Sequence, residues 1–140
     1  MRNFTIILFF TFLSQLTYSQ LNITTEVKQE FTWDYKKSEW KFKKIDKNYL
    51  MFFEFHETIF DGVNTFNRMF KHTNSNIKTH YYIRSFKRDQ ENNRYVYMVV
   101  DDEGVEFKMI IDAKNDNIRF VSQNGNYMTR YPVISYFIDD

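Results

Sequence analysis

Three apolar runs, Arg94-Tyr-Val-Tyr-Met-Val-Val100, Val105-Glu-Phe-Lys-Met-Ile-Ile-Asp112 and Ile118-Arg-Phe-Val121, are separated by Asp101-Asp102-Glu103-Gly104 and by Ala113-Lys-Asn-Asp-Asn117. Short apolar runs broken by acidic or Asn-rich turns predict an antiparallel meander. In the second run Val105, Phe107, Met109 and Ile111 share one parity, and Glu106 and Lys108 fall on the other. That alternation is the period-two pattern of a half-buried strand. From Tyr95 to Val100 both parities are apolar or aromatic, so this strand is expected to be covered on two sides or to line a cavity with one face.

Downstream, Asn124-Gly125 predicts a type I′ hairpin turn, because both residues tolerate positive φ. Tyr127 to Tyr131 then returns, Pro132 marks an edge or a bend, and Val133 to Ile138 closes the chain. Upstream, His80 to Phe86 is an aromatic strand, and Lys87 to Asn93 is a solvated connection. His72 to Asn76 reads as a loop. Asn64 to Lys71 fits either two helical turns, with Phe66, Met69 and Phe70 at helical spacing, or a strand, which its surroundings favour. Tyr49 to Phe55 is a two-faced apolar strand ahead of the Asp61-Gly62 turn. Glu26 to Tyr35 alternates through Val27, Phe31 and Trp33, Lys36 to Glu39 turns the chain, and Trp40 and Phe42 return as a first hairpin. The expected fold is all-β: a meander of eight to ten short strands forming a small barrel or a two-layer sandwich, with one short helix open at 64–71.

Met1 to Ser19 carries one charge, Arg2, and an apolar run from Phe4 to Leu13 that is too short to span a bilayer. Thr17 and Ser19 precede Gln20 at small-residue positions, which predicts a signal peptide over 1–19 and a single domain over 20–140. Cysteine is absent, so neither a cysteine-linked lipid nor a disulfide is expected, and packing must supply the stability. An Asn- and Lys-rich exported chain of this kind points to a bacterial source, periplasmic or secreted. Asn22-Ile23-Thr24 matches the glycosylation sequon.

Arg2 is one of 19 basic residues, so its removal leaves 18 against 18 acidic ones. A net charge of zero gives no global field toward nucleic acid. The chain offers no nucleophile elbow, no Gly-rich phosphate loop, no His-Glu-x-x-His helix and no Cys nucleophile. The expectation is therefore a non-enzyme without cofactor, metal or catalytic residue. His72 and His80 would converge only if they faced each other across a hairpin. Asp101, Asp102, Glu103, Asp112 and Asp116 lack the spacing of a calcium loop and are explained by turn chemistry.

Twenty-three aromatic residues lie beyond Ser19, and aromatic side chains favour pleated, half-buried surfaces. Phe53, Phe55, Tyr82, Tyr95, Tyr97 and Phe107 are the candidate lining of a site for a small apolar ligand or an extended partner, or else they fill a core. Trp40, Lys41 and Lys43, in a stretch where lysines alternate with aromatics, are the candidate surface for an envelope protein, or else guards of a sheet edge. No transmembrane segment is expected, and the oligomeric state stays open.

In the order and size of its strands the chain resembles the lipocalin-like small barrels, and in composition the small exported bacterial all-β proteins of unassigned function. It departs from the lipocalin pattern where Phe31 and Thr32, not a Gly-x pair, precede Trp33. The resemblance is one of layout and assigns no residue a role.

Overall fold

The computed structural model describes residues 20–57, 68–74 and 77–139. These form ten strands and no helix: β1 (Gln20–Thr25), β2 (Lys28–Asp34), β3 (Glu39–Asp46), β4 (Met51–Glu57), β5 (Arg68–Asn74), β6 (Ile77–Asp89), β7 (Arg94–Asp101), β8 (Glu106–Asp112), β9 (Asn117–Ser122) and β10 (Tyr127–Asp139). All belong to one antiparallel sheet in the order β1-β4-β5-β6-β7-β8-β9-β10-β2-β3, with a further pairing of β1 to β10. The all-β antiparallel meander expected from the sequence is therefore present. The expected signal peptide and the Asp61-Gly62 turn lie outside the described residues.

β10 organises the sheet. Its first half, Met128 to Pro132, is bonded to β9, and Tyr127 to Arg130 is also bonded to β2. Its second half, Val133 to Asp139, is bonded to β1. β1 pairs on its other side with β4, so the ladder of the meander runs back to its first strand. β2 and β3 continue β1 as a hairpin that stands out of this circuit, and the outer edge of β3 has no strand partner among the described residues. The sheet is thus strongly curled but keeps an open end.

The core fills the concave face. Ile23, Phe53, Tyr95, Val99, Met109 and Ile118 are each no more than 1 % exposed, and burying an aliphatic or Phe side chain of this size contributes about 1.5–3 kcal/mol. Phe120 joins the cluster through rings centred 6.2 Å from Phe53, 5.7 Å from Tyr81 and 6.0 Å from Tyr131. Edge-to-face and offset contacts at these separations match the quadrupoles of the rings.

Several boundaries differ from the sequence reading. The first strand was expected at Glu26 to Tyr35, yet Gln20 to Thr25 ahead of it is a strand bonded on both sides. Its Asn22 is 9 % exposed, so the sequon sits on buried sheet instead of a surface loop. Arg68 to Lys71 is strand, which rules out a helix over that part of 64–71; 64–67 lie outside the described residues. His72 to Asn74, expected in a loop, continue β5. At the last hairpin only Gly125 takes a positive φ (76°), and Asn124 does not. The Gly125 N–H donates to the Ser122 carbonyl at 2.9 Å, so the turn is wider than the expected type I′. A type I turn followed by a left-handed residue is the usual solution at that loop length.

Candidate functional site

The six residues proposed as a lining do not share one face. Phe53, Tyr95 and Tyr97 are buried on the concave side, and Phe55 and Phe107 pack partly buried against the same cluster. Tyr82 is 58 % exposed. It alternates with the buried Tyr81 and Ile83 and so projects to the convex side, because successive strand residues face opposite ways. The correction concerns register: a run aromatic on both faces does not reveal which parity points inward.

The concave face ends in a distinct aromatic step. Phe86 packs against Tyr97 at 5.1 Å and Tyr95 at 5.9 Å while staying 39 % exposed. The Arg88 guanidinium lies 4.7 Å from the centre of the Tyr95 ring and donates to its hydroxyl. Burial raises the Tyr95 phenol above its ordinary pKa, and Arg88 opposes that shift. An open cleft of about 840 Å³ lies at the same hairpin, but Ser85, Lys87, Val96, Met98 and Lys108, which border it together with Phe86 and Arg88, place it on the side of the sheet opposite Tyr95 and Tyr97.

The β2–β3 hairpin is the second region. A bulge between Glu30 and Phe31 sets Phe31 against Phe42 and Trp33 against Trp40. The rings meet edge to face at 5.7 Å and 5.2 Å. The turn is built locally: the Asp34 carboxylate accepts from the Lys36 and Lys37 N–H groups at 2.9 and 3.2 Å, and Ser38 takes a φ of 51°. Lys41, Lys43 and Lys44 are exposed along the open strand, with Phe42 52 % and Ile45 40 % exposed between and beside them. Trp40, Lys41 and Lys43 therefore all lie on the open strand, Trp40 on one face and Lys41 on the other.

A third constellation was not singled out from the sequence. On the convex side the register sets Arg94, Asp112, Asn117 and Pro132 in one row across β7–β10. Two residues along, Ile110, Arg119, Arg130 and Gln29 form the next row. Asp112 is fully buried and accepts from Arg119 Nη2 at 2.9 Å and Arg94 Nε at 3.3 Å. The Asn115 amide and backbone N–H reach the same carboxylate at 3.0 and 3.1 Å. Arg119 Nε donates to Asn117 at 2.9 Å. Burial lowers the pKa of Arg119, and the neighbouring Arg94 and Arg130 add to the effect while Asp112 opposes it. The sequence signal was an arginine at an outward position in each of β9 and β10, visible only once those strands were known to be neighbours.

The metal candidates come apart in the structure. Asp112 is held by two guanidinium groups, and Asp101 accepts from the Glu103 and Val105 N–H groups at 2.9 Å each, as turn chemistry requires. The register pairs His72 with Thr79 and His80 with Lys71, so the two histidines are not partners. Among the described residues no three His, Asp or Glu side chains converge on a common point, and no helix is long and apolar enough to cross a membrane. Compared with protein-family models, with curated proteins and with solved structures, the chain matches none.

Proposed function

We propose that this chain is an exported, non-catalytic binding module of the bacterial envelope that takes an extended, acidic polypeptide segment along β3. The observation that carries the proposal is the open edge of Glu39–Asp46, which lacks a strand partner among the described residues and is flanked by Lys41, Lys43 and Lys44. Exposed edges present unmet backbone N–H and C=O groups, and an added strand satisfies them while side-chain contacts supply selectivity. The lysines repel a second copy of the same edge but attract a carboxylate-bearing strand, so one feature serves solubility and recognition together. The Trp33–Trp40 pair beside the edge supplies the rigid aromatic anchor that such interfaces use.

The test is a binding titration of acidic and charge-reversed extended peptides against the protein over residues 20–140. The acidic peptide should bind, with an affinity that falls as salt rises. Trp40→Ala and Lys41→Glu with Lys43→Glu should each weaken binding without lowering the melting temperature much. A Trp40→Ala protein that melts far lower and still binds the peptide makes Trp40 a structural residue and removes it as the anchor; failure of the acidic peptide to bind, or binding that Lys41→Glu with Lys43→Glu leaves intact, removes the reading.

A second reading is favoured by Phe86, which stays open to solvent on top of Tyr95 and Tyr97. A small apolar ligand at that step would lie against aromatic faces next to Arg88. Native mass spectrometry of protein purified gently from its own source separates the two readings: a discrete extra mass supports this one, and a clean mass leaves the edge.

A further inference from the structure

We infer that the cleft between Arg119 and Arg130 is a binding site for an oxyanion group, a phosphate or a carboxylate, independent of the β3 edge. The cleft measures about 420 Å³ and is lined by Gln29, Asn115, Asn117, Arg119, Arg130 and Pro132. Arg119 and Arg130 are direct register partners across β9 and β10. Like charges placed opposite one another across a ladder repel, so a pair of arginines there needs compensation. The compensation present is incomplete. Three guanidinium groups, Arg94, Arg119 and Arg130, share one carboxylate, that of Asp112, and Asp112 contacts only the first two.

Arg130 is the odd one out. Its Nε donates to the neutral Gln29 side chain at 2.6 Å, and its guanidinium stacks 4.7 Å from the centre of the Phe31 ring. Among the described residues no carboxylate lies within ion-pair distance of it, and its two Nη groups have no acceptor. Stacking on Phe31 and the bond to Gln29 fix the plane of the guanidinium, while Asp112 and Asn117 fix that of Arg119. Two preoriented forks flanking one concavity are the arrangement that recognises planar or tetrahedral oxyanions through paired N–H donors. The orientation is present before any ligand arrives, which reduces the ordering cost of binding.

The test follows binding by calorimetry with inorganic phosphate and with acetate, each against chloride at matched ionic strength. One of the two should saturate. Phosphate without acetate assigns a phosphoryl group, and acetate assigns a carboxylate. Arg130→Gln should weaken binding by about tenfold or more, the usual effect of losing a hydrogen bond to a charged group, and Arg130→Lys should recover only part of it. Arg84→Gln, whose guanidinium is already paired with Glu106 at 2.7 Å, should leave the affinity unchanged. In the unaltered protein the side-chain Nε–H resonances of Arg119 and Arg130 should shift during the titration while that of Arg84 stays still, a readout that needs no variant to fold. Absence of saturable binding by either anion overturns the inference, as does binding that Arg130→Gln leaves intact or a shift shared equally by Arg84.

Discussion

Replacing Asp112 by alanine should remove a large share of the stability of the molecule. The carboxylate is fully buried and receives four donors: Asn115 N and Nδ2 at 3.1 and 3.0 Å, Arg119 Nη2 at 2.9 Å and Arg94 Nε at 3.3 Å. Deleting one partner of a buried ion pair typically costs about 3–5 kcal/mol, because the charge left behind is uncompensated. Here the side chains of Arg94 and Arg119 are 31 % and 18 % exposed, so water recovers part of the loss and the lower end applies, about 3 kcal/mol. Against a total of about 5–15 kcal/mol for a domain, that is a large fraction. The assay is urea unfolding near neutral pH, with an unchanged dependence on denaturant confirming that the unfolded state is unaltered. Asp112→Asn keeps an acceptor for the Asn115 N–H but turns an amide toward the guanidinium groups, and it should cost about 2 kcal/mol. A double-mutant cycle with Arg119→Met should return a coupling of about 1.5 kcal/mol or more. A loss below about 1 kcal/mol for Asp112→Ala, or a coupling near zero, would refute the assignment of this pair as a stabilising link.

Alkaline unfolding should follow from the buried phenols. Burial pushes Tyr131 from 10.0 up to about 12 and Tyr81 higher still. Their protonated forms are thus favoured by folding, so the stabilisation is intact below pH 10 and is lost as pH climbs from there through about 12, at about 1.4 kcal/mol per pH unit per group. The part of the phenolate absorbance that Tyr131→Phe abolishes should appear together with the loss of β-sheet circular dichroism in that window, and the same variant should flatten the decline; ionisation of that phenol ahead of unfolding would contradict this. Ser38→Gly should be neutral or stabilising by about 0.5 kcal/mol, since it relieves a left-handed φ of 51° at the expense of chain entropy. Gly104→Ala should lose about 1 kcal/mol through φ (83°) alone, as a Cβ there meets nothing within 4 Å; thermal melts showing the same sign for both changes would remove backbone strain as the cause. Phe53→Ala should cost about 3–5 kcal/mol in denaturant unfolding, and a loss under about 2 kcal/mol would mean that the concave face is loosely packed.

The meander was legible because its turns and its alternation are local. β8 alternates with Lys108 outside and Met109 inside, and the Asp101 to Gly104 turn carries its own chemistry. β1 was not legible. Leu21 and Ile23 are too few apolar positions to mark a strand in isolation, and the segment is held by partners more than a hundred residues away in β10 as well as by β4. The inward parity of β6 was lost for a related reason. A bulge between Ile83 and Ser85 changes the phase within one strand, so Tyr82 faces out while Phe86, at an even position like it, packs on Tyr95 and Tyr97. Of the candidate sites, the lysine-aromatic hairpin was legible as a local cluster, but the arginine cleft depends on which strands are neighbours.

The turns also explain how a chain with three glycines makes so many reversals and why one of them carries the charged cluster. Asp34, Asp89 and Asp112 each accept from the backbone N–H three residues on, and the fourth residue on, Ser38, Asn93 or Asp116, takes a φ of 51–54°. An aspartate that caps the turn offsets the strain of a left-handed residue without a glycine. In the first two hairpins the contact made by the aspartate is exposed. In the third, the Ala113 N–H donates to the Asn93 carbonyl at 3.1 Å and the Asp116 carbonyl accepts from Val133 at 2.8 Å. The turn is thereby tied to its neighbours on both sides, and its aspartate is drawn beneath Arg94 and Arg119. The carboxylate that shapes the hairpin is then also the one that orients Arg119 toward the cleft, so the turn and the proposed anion site share a single acceptor. Asn115 belongs to both, because its amide and backbone N–H hold Asp112 while its side chain borders the cleft. Asn115→Ala should therefore loosen Asp112 and weaken anion binding with Arg119 and Arg130 unaltered, whereas Asn92→Ala, which removes the equivalent contact to Asp89, should leave the anion affinity where it was.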